Sequence, residues 1–299
     1  MEIKQIKYTD EKYPKQLKLI PNPPQQLYLM GNENILENKG IAIIGSRCST
    51  EYGEQYATKF SKELAKQGLN IISGMALGID TCAHKGALSV GGATIAVLGS
   101  GFDYIYPEEN IDLFEDIISK GGAVISEYEP NTKPESYYFP ERNRIVSGLS
   151  SGVLVIEAVY RSGTSITAKL AEKQGRPVFC IPSNLGRKNG VGTNILIKEG
   201  AKLVTHSDDI LQELGIEKIV EAPKIKIPAE YEPIYNAIED EPTNINIICK
   251  KLNTSISEIN ASLMLMELEG YIKSLAGNYY EKVVDWCFIN KKWDKMGKT

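Results

Sequence analysis

From residue 40 onward, short apolar runs rich in β-branched residues alternate with longer stretches of helical periodicity, and no other feature restricts the fold as much. The runs cover 41–46, 69–73, 94–98, 123–126, 153–157, 177–181 and 202–205. Helical patterns over 55–66, 79–89, 111–119 and 166–174 lie between most of them. A strand with one wet face alternates polar and apolar residues, whereas a nearly continuous apolar run needs cover on both faces, as in a parallel sheet. The βα alternation supplies the crossovers that parallel neighbours require, so the expected class is α/β with a doubly wound, mostly parallel sheet. Gly68 and Gly175 follow their helical patterns as C-terminal caps should. In such a sheet ligands bind at the carboxyl ends of the strands, where Gly45, Gly74, Gly99 and Gly101 fall.

The rest of the chain divides around this core. Residues 1–39 read as a short lead-in, with Pro21-Asn22-Pro23-Pro24 blocking helix and central strand alike and forming an extended connector that ends near Gly31. The α/β domain spans 40–215. Residues 216–228, with Pro223 and Pro228, read as a linker. Helical segments at 231–239, 244–252 and 257–269 follow, with Asn253-Thr254-Ser255 punctuating the last two and a hairpin around Ala276-Gly277-Asn278. Three helices and a hairpin over 229–285 make a small winged-helix-like domain, and a small helical dimerisation module would carry the same pattern. Residues 286–299 form a locally basic tail.

Composition narrows the function classes. The 299-residue chain has a net charge of −4, so bulk charge gives no reason to expect a nucleic-acid partner, and any basic surface must be gathered locally. No apolar run approaches the roughly 18–20 residues of a membrane span, and the first residues carry no signal-peptide core. Five scattered cysteines without Cys-x-x-Cys favour neither zinc nor a disulfide framework, and fit a reducing cytoplasm. With only two histidines, His84 and His206, metal and general-base chemistry are weakened. No cofactor is expected.

Several loops have the residue types that hold phosphate. Gly45-Ser46-Arg47 follows the first strand, where free amides and a hydroxyl cradle an anion and arginine forks onto its oxygens; neither Gly-x-Gly-x-x-Gly nor a Walker A loop is present there. Ser73 and Gly74 open a second glycine loop that runs to Asp80. His84 lies one turn beyond, and with no matching nucleophile the pair reads as structural. Ser162-Gly163-Thr164 opens the helix over 166–174, with Lys169 one turn in, and a helix N-terminus rich in hydroxyls is an anion site. Gly190-Val191-Gly192-Thr193-Asn194 ends another glycine-rich loop after Arg187 and Lys188. Tyr137-Tyr138-Phe139-Pro140-Glu141-Arg142-Asn143-Arg144 combines aromatics that stack on bases with arginines that grip phosphates. Adjacent aromatics on a regular strand cannot all face inward, which leaves one available. Ser-His-Asp order and clustered metal ligands are missing: phosphate grip without a chemical engine, which favours a binding protein over an enzyme.

Gly45-Ser46-Arg47, residues 73–80 with His84, Ala96-Val97-Leu98-Gly99 with Asp103 and Tyr106-Pro107, Ser126-Glu127, Phe139-Pro140-x-Arg142-Asn143-Arg144, Glu157-Ala158, Ser162-Gly163 with Thr167-Ala168, and Gly192-Thr193-Asn194 occur in an order that resembles the DNA-processing protein A (DprA/Smf) family. The resemblance spans residues 40–205. It implies an extended Rossmann-like domain that binds single-stranded DNA, a homodimer, and loading of the recombinase RecA onto incoming strands in natural transformation, with displacement of single-strand binding protein. No catalytic activity is implied. Arg47, Phe139, Arg142 and Arg144 correspond to the family's DNA groove. Leu77 stands where relatives commonly have a basic residue, and Ser183 where a glycine is usual.

The expected site therefore comprises Gly45, Ser46, Arg47, Ser73, Gly74, Phe139, Arg142, Asn143, Arg144, Ser162, Gly163, Thr164 and Lys169. One rival reading is a phosphoribohydrolase-like nucleotide enzyme with Glu157 as its carboxylate. Another is a protein-interaction scaffold with 137–144 as its patch.

Overall fold

A computed structural model describes residues 2–160, 162–219, 227–239 and 241–283. The chain forms two compact units that divide between residues 219 and 220. The first contains β1 (Lys4–Lys7), α1 (Lys15–Lys18), β2 (Gln26–Gly31), β3 (Gly40–Ile44), α2 (Glu51–Lys66), β4 (Asn70–Ser73), α3 (Ile79–Leu88), β5 (Thr94–Val97), α4 (Ile111–Ser119) and β6 (Ala123–Ser126). It continues through α5 (Tyr138–Leu149), β7 (Val153–Val155), α6 (Gly163–Lys173), β8 (Val178–Cys180), α7 (Val191–Lys198), β9 (Lys202–Leu203) and α8 (Ser207–Glu213).

The sheet order is β1-β2-β6-β5-β4-β3-β7-β8-β9. Every pairing from β6 to β9 is parallel, and only β1 and β2 run against their neighbours. From β3 the chain winds outward through β4, β5 and β6, then returns to place β7 on the other side of β3. That reversal is a topological switch point, where flanking loops diverge and leave a crevice.

Cover on both faces explains the apolar runs. On one face Ile145, Val146 and Leu149 of α5 and Ala168 and Ala171 of α6 join a core that includes Val153 and Val155. On the other, Phe60 and Leu64 of α2 and Ala83 and Ala87 of α3 pack with Ile41, Ile43 and Leu154. Each fully buried large side chain of α2 contributes about 1.5–3 kcal/mol relative to exposure. Helix α2 starts where Thr50 Oγ1 accepts the Gly53 amide, with Glu51 and Glu54 in the positive first turn, and stops before Gly68 at φ +78°.

Three expectations need correction. Residues 1–39, read as a short lead-in, are part of the sheet and core: β2 pairs with β6 (Tyr28↔Ser126) and β1 pairs with β2 (Lys4↔Leu29), while Tyr13 and Leu17 are buried in the main core. The prolines at 21, 23 and 24 do stop regular structure locally, but partners distant in sequence take up the strand that follows. The first and fifth runs leave the sheet early, at Ile44 and Val155, so Gly45, Ser46 and Glu157 belong to loops. The stretch 137–144 is not a strand. It enters α5, with Pro140 in the first turn, where its missing amide hydrogen costs nothing.

The second unit contains α9 (Glu232–Ala237), β10 (Thr243–Asn244), α10 (Ile245–Leu252), α11 (Ile256–Leu268), β11 (Ile272–Leu275) and β12 (Tyr279–Lys282). Its three strands pair antiparallel in the order β10-β12-β11. Its core gathers Ile234, Ile248, Leu263 and Met266. Asn253 at φ +51° turns the chain between α10 and α11, and Ser255 and Glu258 form a reciprocal capping box. The basic tail at 286–299 and part of the linker, 220–226, lie outside the described residues.

Candidate functional site

Three loops meet at the switch point: residues 45–50 after β3, 74–78 after β4 and, after β7, 156–160 with Ser162. With α5 they enclose a cavity of about 380 Å³. Two glycines allow the loops to interlock. A Cβ on Gly45 would stand 2.6 Å from Ile79 of α3, and Gly78, at φ +76°, would place one 2.4 Å from the Ser46 carbonyl. The Ile79 amide donates to that carbonyl at 3.2 Å, and Thr164 Oγ1 donates to the Gly45 carbonyl at 3.1 Å. Ser46 Oγ closes its own loop by donating to Cys48 O and accepting from Cys48 N.

Helix α6 points its N-terminus into the cavity, which Ser162, Gly163 and Thr164 line. Ser162 occupies the cap position, but its side chain makes no capping bond, and its Oγ is buried without a partner. The amides of Gly163, Thr164 and Ser165 precede the first i to i−4 hydrogen bond of the helix, made by Ile166 N, so no intrahelical acceptor exists for them. An open first turn with its half-charge toward a cavity favours an anion.

The arginines differ sharply. Arg47 is exposed, lines the cavity, and stands 5.3 Å from the centre of the Phe139 ring. Arg142 also lines the cavity but is only 4% exposed, and its Nη1 donates to the Gly74 carbonyl at 2.6 Å and to that of Val97. Burial lowers its pKa to about 10, partly offset by the Asp80 carboxylate. Asp80 accepts from the amides of Gly74 and Ala76, and burial raises its pKa against the opposing pull of Arg142. Arg142 thus lends charge to the cavity wall while its hydrogen bonds hold the β4–α3 loop. Arg144 does not line the cavity. It makes a two-pronged ion pair with Glu127, at 2.6 and 2.8 Å, and donates through Nε to Asn22 O.

Of the other expected residues, Gly45, Ser46, Gly74, Asn143, Ser162, Gly163 and Thr164 line the cavity. Ser73 does not: it is fully buried and its hydroxyl donates to Ile43 O at 2.7 Å, so it braces β4 to β3. Lys169 is exposed on α6 and is not part of the wall. Phe139 lies over Gly99 and 5.4 Å from Tyr106, and lines an adjoining recess of about 50 Å³ with Arg47 and Leu77. Sequence reasoning missed Tyr106 as a neighbour of Phe139, and Thr167 in the wall. The i+4 spacing of Thr167 from Gly163 was the available signal for the latter.

Asp80 and His84 serve different partners. His84 Nδ1 lies 2.7 Å from Thr94 Oγ1, and Thr94 donates its own proton to Ile71 O, so the imidazole carries its hydrogen on Nδ1. Burial drops the His84 pKa to about 3. Glu157 faces away from this cavity. Its carboxylate accepts from the amide and hydroxyl of Thr50 and from Asn189, which positions the Arg47 loop. Among the described residues no group of His, Cys, Asp and Glu side chains is arranged to hold a metal.

A doubly wound α/β unit with an amide-lined, arginine-walled cavity at its switch point defines a Rossmann-like protein. Residues 4–215 match the family model of the DNA recombination-mediator protein A, and 221–278 match that of the DprA winged helix domain. The chain belongs to the DprA/Smf family of DNA processing and recombination, and its second unit is a winged helix. It is 38% identical over 279 residues to Protein Smf of Escherichia coli, covering 90% of this chain and 75% of that one. The X-ray structure of DNA processing protein A from Streptococcus pneumoniae superposes with a TM-score of 0.67 at 41% identity, covering 71% of this chain and 74% of that one. The protein from Helicobacter pylori, whose structure concerns its single-stranded DNA binding mode, has a TM-score of 0.65 at 32% identity, covering 73% and 98%.

Proposed function

We propose that this chain binds single-stranded DNA through the switch-point cavity, with one backbone phosphate on the open first turn of α6 and Arg47 forking onto its oxygens. The observation that carries this reading is the uncapped α6 N-terminus facing the same cavity as the exposed Arg47. Phe139, beside Arg47, offers a base a stacking face. The contacts address phosphate and ring faces, so sequence preference is weak. Within its family the chain acts in the cytoplasm as a homodimer that protects incoming strands, displaces single-strand binding protein and loads the recombinase RecA during natural transformation and recombination. It performs no chemistry on the strand. The carboxylate in the cavity, Asp80, is buried against Arg142, and Glu157, which the phosphoribohydrolase reading needs, lies outside the cavity wall. Among the described residues no helix is long and apolar enough to cross a membrane.

Fluorescence anisotropy of a labelled oligonucleotide across a salt series tests the reading. Binding should weaken with salt by a log–log slope of about −0.7 per phosphate neutralised, and Arg47→Ala should lower affinity and flatten the slope by about that amount. Unaltered binding by a folded Arg47→Ala protein removes the cavity from the account. Absence of any gel shift at low salt favours the scaffold reading.

A further inference from the structure

Across the 45–50 loop from the first cavity lies a second one of about 550 Å³. It is also at the carboxyl ends of strands, between the start of α2 and the loop joining β8 to α7, and it shares no lining residue with the first. Arg187 and Lys188 stand at its edge, both exposed. Tyr52 forms one wall: its hydroxyl donates to the Pro182 carbonyl at 3.0 Å, and the residue remains 41% exposed.

The loop that carries the two cations is pinned in place. Asn194 bonds both the amide and the carbonyl of Ser183, the Ala158 amide donates to Asn189 O at 2.8 Å, and Asn189 Nδ2 donates to Cys48 O at 2.7 Å. That last bond joins this loop directly to the loop of Arg47. Thr50, in the second cavity's wall, is three residues on from Arg47, a reach of at most about 11 Å along the chain. Two carboxylates also line the cavity. Glu157 is buried and its oxygens already accept from Thr50 and Asn189; Glu51 is exposed at the start of α2. With two cations and two carboxylates, the site suits a unit bearing one negative charge and a neutral ring better than a free di- or triphosphate.

We propose that this second cavity holds a further nucleotide unit of the same single strand, its phosphate on Arg187 and Lys188 and its base stacked on the Tyr52 ring. The strand crosses the 45–50 ridge between the two sites. The inference rests on the single-strand reading of the first cavity, and its test separates the two. Oligonucleotides of about 20 nucleotides are titrated by anisotropy across a salt series with the full chain, the double variant Arg187→Ala/Lys188→Ala, and a control variant Lys173→Ala/Lys198→Ala. The control lysines end α6 and α7 and so lie at the opposite edge of the sheet.

The cavity double variant should flatten the log–log slope by about 0.7, for the one phosphate that both cations hold, while the control leaves it unchanged. Tyr52→Ala should weaken binding by roughly tenfold or more at an unchanged slope, and Tyr52→Phe should restore most of that loss because stacking survives. If the wild-type chain binds no single strand, the first-cavity reading fails. If it binds but the cavity pair leaves the slope unaltered, or the control pair flattens it equally, the second site alone is overturned. Binding of a deoxynucleoside monophosphate to the wild-type but not to the Arg187→Ala/Lys188→Ala protein, with no displacement of the strand, makes a free nucleotide the occupant and overturns the strand path.

Discussion

The loop after β3 and the first turns of α5 both bring arginine to the switch point, and the structure uses them in opposite ways. Arg47 stands on a glycine-permitted turn with its guanidinium exposed to solvent and beside an aromatic face. Arg142, on a helix packed beneath three strand ends, is buried and spends its donors on main-chain carbonyls. Arg144, one turn from Glu141, is neutralised by Glu127. Guanidinium on a loop is available to a ligand, whereas on a packed helix it becomes part of the scaffold that shapes the ligand's site. The difference arises from desolvation: a buried cation must find protein acceptors, and the carbonyls at the carboxyl ends of strands supply them.

This contrast predicts that stability and binding rank the arginines in opposite orders. Arg142→Ala should produce the largest stability loss, about 3–5 kcal/mol in denaturant titration, because it leaves Asp80 buried without its cation and frees the β4–α3 loop. A variant that stays folded and loses only DNA affinity would break the contrast by making Arg142 a ligand contact.

Next in size is a pH effect from the same packed region. His84 is neutral when folded, with a pKa of about 3, against about 6.5 in the unfolded chain. Between those values the unfolded state binds the extra proton, so stability falls as pH drops through that window, by up to about 1.4 kcal/mol per unit from this group. Above pH 6.5 both states are neutral and the contribution is flat. His84→Gln should show a shallower decline in thermal midpoint between pH 6 and 4 than the parent chain, and parallel profiles would remove His84 as the cause.

Arg144→Ala should cost about 1 kcal/mol, the scale of a partly exposed pair, and leave the salt slope of DNA binding unaltered. A slope change would place Arg144 on the strand. Arg47→Ala should change stability by less than about 0.5 kcal/mol, yet it is the substitution expected to flatten the slope of the first cavity.

Much of the first unit was legible in the sequence because its signals are local. The run at 123–126 and the helix at 111–119 match their elements residue for residue, since turn residues and apolar periodicity bound both. The glycine loops fell at strand ends, as a doubly wound sheet requires. Three features depended on distant partners and were misread. Strand β1, Lys-Gln-Ile-Lys, has one buried side chain and no strand signal of its own; it exists because β2 is beside it. Tyr137 to Arg144 has an aromatic run with a proline, which reads as extended until α5 is seen to tolerate Pro140 in its first turn. Ser73 looked like a phosphate donor because it precedes glycine, but its hydroxyl faces β3.

The sequence by itself determined the α/β alternation, the order of the loops and the residue types present at each strand end, because hydrophobic periodicity, glycine and proline act within a few residues of themselves. Only the tertiary structure decided which arginine faces solvent, which hydroxyls are already spent and which loops share a cavity. Those outcomes depend on desolvation and on acceptors contributed from distant parts of the chain. Arg142 and Arg47 are the same amino acid, separated in function by which carbonyls and carboxylates the fold brings within reach.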